Sequence, residues 1–565
     1  MPKILVTLLF SFTFSICSSQ INYNIFANKY PIPKRETRAV WLTTLSNLDW
    51  PKTYATSTNN IIKQKQELIN ILDLYYKANI NTVILQTRVR ATTIYPSAIE
   101  TWDRAITGVA GKAPIYSYDP LKFAIEECHK RGMEIYAWIV AIPIGKKGTI
   151  GYKNIKRKGL KIKDFATGSY LDPNDTRIRN YLANICGEIV SKYNVDGINL
   201  DYIRYPDEWT KPTWNKGDTP NNRRHNITMI VKAICNRVKA IKPWIKLSCS
   251  PIGKYSDLSR YSSKNYNAYN RVFQEAQEWV KNGIMDQLFP MQYFRDNNYY
   301  PFCADWVENS NGKDIVSGLA TYFLDKRNGN WSIKDIANEM NVSRWLGMGH
   351  AHFRSSFLTN NYQGVYDFEK IFNATPALTK CTVSKTKNLK PQTPKLISNK
   401  STITNLENEA TTSLSWTGVT PYYNIYMSKN YPVDINDPRN LLFARLNRTS
   451  FSHNIKRAYN YAITALDQYG NESYPIQCNF IGNKIKSKLI ENDGKWIYLP
   501  KWINDIDIKF IEICSLENIT LKRIYIKGYP KKLNIYFLPN GMYSLYSISK
   551  KNKSKHRIGF FTIKR

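Results

Sequence analysis

The sequence predicts an α/β chain, a (β/α)8 TIM barrel followed by two small β-sandwich domains. Three observations carry this. From about residue 34 to 380, eight short apolar runs alternate with stretches of helical length, the pattern of β–α units that close into a parallel barrel. No GxGxxG follows the first run, which removes the main support for an open dinucleotide-binding sheet. Beyond that region, short strands divided by Asn, Asp, Gly and Pro turns replace the helical spacing, as in small β-sandwiches.

The units follow in order. "TRAVWLTTL" reads as the first strand, and "IIKQKQELINILDLYYKAN" repeats apolar residues at helical spacing before the second strand, "NTVILQTRV". "DPLKFAIEECHKRG" opens on Asp-Pro and stops at Gly132, helix start and stop signals, and leads into "MEIYAWIVAI". "DTRIRNYLANICGEIVSKYN" feeds "VDGINLDYI", and "NITMIVKAICNRVKAIKP" feeds "WIKLSCSPI". "NRVFQEAQEWVKNG" precedes "MDQLFPMQYF", "CADWVENS" precedes "DIVSGLATYF", and "SIKDIANEMNVSR" precedes "WLGMGHAHF", with "YDFEKIF" closing the series. Residues 381–393 carry Pro391 and read as a linker. Two β-rich segments follow, 394–482 and 483–565.

At 565 residues, several domains are expected. The 80 Lys and Arg against 44 Asp and Glu leave a net charge of +36. That excess is scattered rather than gathered in one tract, and exposed charges more than about 8 Å apart are screened at physiological salt. With no helix-turn-helix, zinc or RNA-binding signature, nucleic acid is not an expected partner. Lys3, the apolar Ile4–Ile16 and "CSSQ" predict a signal peptide over residues 1–19. The apolar core falls short of the roughly 20 residues that span a bilayer. The expected location is the periplasm or cell surface, and Cys17 offers a rival outcome, lipid attachment as an outer-membrane lipoprotein. The other eight cysteines form no CxxC pair, so neither a metal nor a cofactor is expected from them.

In such a barrel the chemistry sits at the carboxyl ends of the strands. Asp196 and Gly197 lie at the start of strand four and read as structural, while Asp201, Arg204 and Tyr205 lie at its exit. A carboxylate beside a guanidinium is expected to stay ionised, and it could stabilise or attack a sugar oxocarbenium ion. A salt bridge between Asp201 and Arg204 that merely pins the loop is the plainer alternative. Strand one exits to Asp49 and Trp50, strand two to Gln86, Arg88 and Arg90, and strand three carries Trp138. Strand six offers Gln292, Tyr293 and Arg295, strand seven Tyr322, and strand eight His350, His352 and Arg354. Aromatic faces stack on sugar rings while Arg, Gln and His bond their polar groups. His350 and His352 are spaced for a metal, but the sequence shows no third ligand, so no metal is expected.

"RETRAVWLTTLSNLDWP", "YDPLKFAIEECHKRGMEIYAW", "LDPNDTRIRNY", "VDGINLDYIRYP", "SPIGKY" and "FPMQYF" together resemble the glycosyl-hydrolase-like 10 family of bacterial envelope proteins. The resemblance covers roughly residues 34 to 380. It implies a TIM barrel and glycosidase activity on a polysaccharide, with peptidoglycan glycan strands, above all those stripped of peptides, the first choice. It also implies that Asp201 is the nucleophile or charge stabiliser and Asp49 the leading candidate for proton donor. The sequence departs from relatives at Tyr202, where many carry a second Asp, and at "RVRATTIYPS", where they often carry an acid. That leaves a rival reading, a non-catalytic glycan-binding protein that keeps the barrel. "YNYAITALDQYGNESYP" resembles the closing strands of a fibronectin type III module, and the final "GMYSLYSI" and "FFTIKR" are similar to accessory β-domains of exported Bacteroidetes proteins.

Overall fold

The computed structural model describes residues 31–209, 218–261, 266–381, 390–403, 410–455, 459–479, 482–483, 490–499, 508–515, 519–526, 531–550 and 555–565. The predicted signal peptide and Cys17 lie outside the described residues. The chain divides into two compact units, residues 1–383 and 384–565.

Eight parallel strands form the first unit: β1 (Arg38–Leu42), β2 (Thr82–Arg88), β3 (Glu134–Val140), β4 (Gly197–Asp201), β5 (Lys246–Cys249), β6 (Gln287–Leu288), β7 (Asp314–Leu319) and β8 (Gly349–His352). Each pairs with its chain neighbours, and β1 pairs with both β2 and β8, which closes the barrel. Among the helices that lie between or after these strands are α1 (Thr58–Lys77), α2 (Pro120–Lys130), α3 (Arg177–Lys192), α4 (Pro220–Ile241), α5 (Ala276–Lys281), α6 (Tyr300–Glu308), α7 (Ile333–Trp345) and α8 (Val365–Phe372). Their starts are chemically marked. Asp119 accepts the Lys122 amide at the head of α2, and Ser332 and Asp335 form a reciprocal capping box at α7, satisfying N–H groups that a helix cannot pair internally.

Strand side chains alternate between two faces, so each strand supplies two cores. Ala39, Trp41, Ile84, Tyr136, Trp138, Phe289, Val316 and Ala351 pack inside the barrel. Val40, Leu42, Val83, Leu85, Ile135, Ile198, Leu200, Leu247 and Ile315 pack in the larger core formed with the helices. This parity explains "GINLD". Ile198 and Leu200 join the helix layer, while Asn199 turns the other way and bonds Ser248 Oγ at 3.1 Å and Ser250 Oγ at 2.9 Å. Asp201, two residues on, shares that inward face.

The start of β4 is structural, as the sequence reading has it. The Asp196 carboxylate accepts the Ile135 amide and contacts His129 Nε2, both at 2.9 Å. A Cβ at Gly197 would stand 2.9 Å from Lys246 O and from the Tyr136 ring. Gly197→Ala is therefore expected to cost about 1–3 kcal/mol through overpacking. A urea melt checks it, and an unchanged midpoint would show that β4 and β5 separate freely.

The described residues of the second unit are mainly β-strand. One four-stranded sheet runs in the order Ser450–Ile455, Ala410–Thr417, Lys395–Ile403, Gly482–Asn483, and a second in the order Leu441–Leu446, Tyr422–Ser428, Asn460–Leu466, Ile476–Cys478. Leu414 and Trp416 from the first share a core with Tyr423, Ile425 and Ile463 from the second. Toward the C-terminus, strands Ile508–Cys514, Thr520–Tyr525, Gly541–Ser549 and Lys555–Ile563 form another sheet, with its own core around Ile511, Leu545 and Phe561. The eight cysteines among the described residues are all free thiols.

Candidate active site

At the carboxyl ends of the barrel strands lies a cavity of about 410 Å³. Gln86 from β2, Trp138 and Val140 from β3, Asp201 and Tyr202 from the end of β4, Met291 and Tyr293 after β6, and Phe353 and Arg354 after β8 line it. Its outer wall comes from Lys146, Thr167, Ser169 and Tyr170, which lie on or between the strands of a small antiparallel sheet of Pro143–Gly145, Ile162–Asp164 and Ser169–Leu171 inserted after β3.

Asp201 is 7% exposed. Its Oδ2 accepts Trp138 Nε1 at 3.0 Å and its Oδ1 accepts the Tyr202 amide at 2.7 Å. Burial pushes its carboxyl above the ordinary aspartate value, and the partial offset from Arg204 and these two donors does not reverse the shift. The lowering that the sequence reading expects from Arg204 is present, but desolvation outweighs it. Nor is the pinning salt bridge formed. Arg204 bonds Tyr266 Oη at 3.2 Å, pairs with Asp207 at 3.9 Å and lies over the Tyr202 ring at 4.7 Å.

Three rings form the apolar side of the cavity. Phe353 packs against Tyr293 at 5.5 Å and Trp138 at 6.4 Å between ring centroids. Burial and the Asp201 charge push the Tyr293 phenol upward, so it stands as a neutral hydroxyl. Tyr202, at φ 49° in the left-handed region, is 40% exposed. A side chain held in that conformation costs about 1 kcal/mol or more, and such outliers cluster at functional sites.

Among the residues expected at the site, the structure brings Gln86, Arg90, Trp138, Asp201, Tyr293 and Arg354 to one cavity. Gln86 Oε1 there accepts Thr43 Oγ1, the Thr44 amide and the Leu45 amide at 2.6, 3.0 and 2.8 Å, which anchors the loop after β1.

The others lie elsewhere. Asp49 is held by Arg354, by the Ser356 amide at 3.0 Å and by the Thr43 amide at 3.0 Å, and it is absent from the lining. It holds Arg354 in place rather than facing a leaving group. Trp50 is fully buried with its indole N–H on Gln64 O at 2.9 Å. Arg88, fully buried, grips Glu100 at 2.7 Å. Tyr205 is enclosed by Trp209 and Phe273. Gln292 is buried with its amide on Cys303 Sγ at 3.1 Å. Arg295 leans over Trp331 at 5.0 Å and pairs with Asp335 at 3.4 Å. Tyr322 stands behind the cavity, edge-on to Tyr293 at 5.7 Å.

His352 is buried between Thr321 Oγ1 at 2.8 Å and Glu369 at 3.1 Å. His350 reaches the same Glu369 at 2.9 Å. The third group that the sequence does not reveal is thus a carboxylate from α8, and the three sets of ligand atoms lie within 4.8 Å of one another. All three are buried away from the cavity lining.

Sequence reasoning missed Tyr202, Tyr170 and Lys146 as lining residues. They come from a strand-end turn and an inserted sheet, which carry no periodic signal.

The model of the family described as glycosyl hydrolase-like 10 matches residues 36–326. Glycosyl hydrolase YngK of Bacillus subtilis (strain 168) is 28% identical over 367 residues, 59% of this chain and 71% of its own. Glycosyl hydrolase DigH of Escherichia coli (strain K12) is 29% identical over 323 residues, 50% of this chain and 73% of its own. Among solved structures, the PgaB (BpsB) glycoside hydrolase domain from Bordetella bronchiseptica aligns with 61% of this chain and 100% of its own at 12% identity and TM-score 0.44.

Proposed function

Because the chain belongs to the glycosyl hydrolase-like 10 family, we propose that it is an exported glycoside hydrolase that cuts peptidoglycan glycan strands. The observation that carries this reading is the Asp201 carboxyl, buried at the carboxyl end of β4 in a cavity walled by Trp138, Tyr293 and Phe353. Buried aromatic walls suit sugar faces, and a carboxyl with a raised pKa suits proton transfer to a glycosidic oxygen. The names of the relatives YngK and DigH, both glycosyl hydrolases, support the same reaction class.

The substrate choice rests on charge. Arg90 and Lys146, both exposed, line the cavity, and among the described residues neither has an ion-pair partner. A strand stripped of peptide carries a free lactyl carboxylate on alternate sugars, an anionic group that two cations at a cleft mouth attract. Replacing both with Ala is expected to raise KM by roughly tenfold, the worth of two exposed charge contacts. Added salt should shrink the difference. Steady-state kinetics at two ionic strengths checks this, and equal KM values would remove the charge argument.

The decisive experiment is mass spectrometry of products after incubation with purified, peptide-free glycan strands. New reducing ends support the reading. Retained binding with no release over long incubation supports the second reading, a non-catalytic glycan-binding barrel, which the single carboxylate in the cavity lining favours. The β-rich second unit serves in this scheme as spacer or interaction surface. We read its first part as a fibronectin type III-like sandwich and its last part as a second sandwich. Export follows from the leader-like residues 1–19, with the periplasm or cell surface as destination and Cys17 as the point for a lipid anchor.

A further inference from the structure

We infer that the sugar bound next to Asp201 carries a 2-acetamido group, and that its amide oxygen, rather than a second protein carboxylate, attacks the anomeric carbon. This rests on the glycosidase reading above. Displacement at a glycosidic carbon ordinarily uses two carboxyl groups, one to protonate the leaving oxygen and one to attack or to activate water. Among the described residues lining this cavity, Asp201 is the one carboxylate.

The neighbouring acids are committed elsewhere. Asp49 is taken up by Arg354 and two backbone amides. Asp164 accepts the Ser169 hydroxyl at 2.6 Å and lines none of the cavity. Asp207 pairs with Arg204 and accepts Tyr266 Oη at 3.1 Å. Glu369 is enclosed by two histidines. The residues of this unit outside the described set, 1–30, 210–217, 262–265 and 382–383, include no Asp or Glu. The second group must therefore come with the substrate, and an amide carbonyl on C2 reaches C1 through a five-membered ring.

The steps balance. Protonated Asp201 gives its proton to the glycosidic oxygen as the C1–O bond breaks, and the amide oxygen bonds to C1. This leaves an oxazolinium ion, a free hydroxyl on the departing chain and an Asp201 carboxylate. Water then adds to C1 while Asp201 takes one of its protons, and the bond between C1 and the amide oxygen opens. The amide and the acid are restored, with configuration retained. Tyr293 is the positioning residue. Its side chain lines the same cavity as Asp201, and Phe353 packs on its ring. A neutral hydroxyl there can donate to the amide oxygen.

The test uses the full-length protein and peptide-free glycan strands that have been de-N-acetylated and then re-N-acylated with either acetyl or trifluoroacetyl groups. Both are neutral amides of similar size, but fluorine drains the carbonyl oxygen of nucleophilicity. The acetyl strands should be cut, and the trifluoroacetyl strands cut on the order of 100-fold more slowly, the scale of a positioned catalytic group. Asp164→Asn should cut acetyl strands like the parent, and Tyr293→Phe should lower kcat with little change in KM. The parent's kcat/KM should fall as pH rises through the Asp201 pKa, because the acid form starts the reaction; a nucleophilic Asp201 would instead lose activity as pH falls. Equal rates on the two strands, or an Asp164→Asn variant as inactive as Asp201→Asn, would overturn the inference and leave the glycosidase reading standing. Failure of the parent to cut the acetyl strands would remove that reading, and this inference with it.

Discussion

Asp201→Asn is expected to lower kcat/KM on peptide-free glycan strands by at least about 10³-fold while the barrel stays folded. Asparagine keeps the shape and one acceptor oxygen, so Trp138 Nε1 or the Tyr202 amide retains a partner. What it cannot do is carry a proton to a glycosidic oxygen. A stability measurement separates this from mere damage. Burial raises the Asp201 carboxyl above its ordinary 3.8, so the folded state binds its proton more tightly than the unfolded chain does. Ionising it therefore costs stability as pH climbs through that raised value. The neutral variant escapes the cost, and the difference in Tm between variant and parent should move in the variant's favour as pH rises from 3.8. Cleavage by the variant at the parent's rate would end the assignment. A Tm difference flat across pH would show that the carboxyl is not desolvated.

The barrel was readable because its signals are local. Alternation puts Val40 and Leu42 opposite Ala39 and Trp41, and Asp119 before Pro120 marks a helix start in two letters. Where signals compete, the reading slips. "MDQLFPMQYF" predicts a full strand, yet the ladder of β6 covers only Gln287–Leu288. Pro290 has no N–H to donate, and pairing continues only as isolated bridges from Met291 to Ile252 and Gly318.

The site was legible in position but not in facing. Arg88 follows Gln86 at the same parity, but the register shifts between them against β3. That bulge turns Arg88 into the wall, where Glu100 receives it. On β8, Ala351 faces the barrel interior, and its neighbours His350 and His352 take the opposite face toward Glu369. Strict alternation would have sorted those histidines from Phe353, which packs with the interior cluster. No periodicity could place Tyr170 or Lys146, because an inserted sheet brings them over the mouth from outside the β–α repeat.

The largest effect on stability is expected at the other mouth, from Glu36→Gln. Glu36 precedes β1 and is 1% exposed. Its carboxylate receives Arg38 Nε at 2.7 Å and two nitrogens of Arg344 at 2.8 and 2.7 Å. Arg344 in turn bonds Phe372 O at 2.9 Å and Asn373 Oδ1 at 3.0 Å, so one carboxylate ties β1 to the ends of α7 and α8. Removing its charge leaves two buried guanidinium groups uncompensated, which costs on the order of 3–5 kcal/mol. Catalysis should survive below the new Tm, because the cavity lies at the opposite end of the strands. Acid adds a second signature. Burial pushes the Glu36 carboxyl up, but Arg38 and Arg344 more than offset it and take it from 4.5 to about 2. The stabilisation is thus complete above 4.5 and drains away as pH falls toward about 2, a loss of roughly 3 kcal/mol. Chemical melts of parent and variant between those limits should converge as pH drops. Parallel curves would mean that Glu36 keeps its proton in the folded barrel and that the two arginines are balanced by something else.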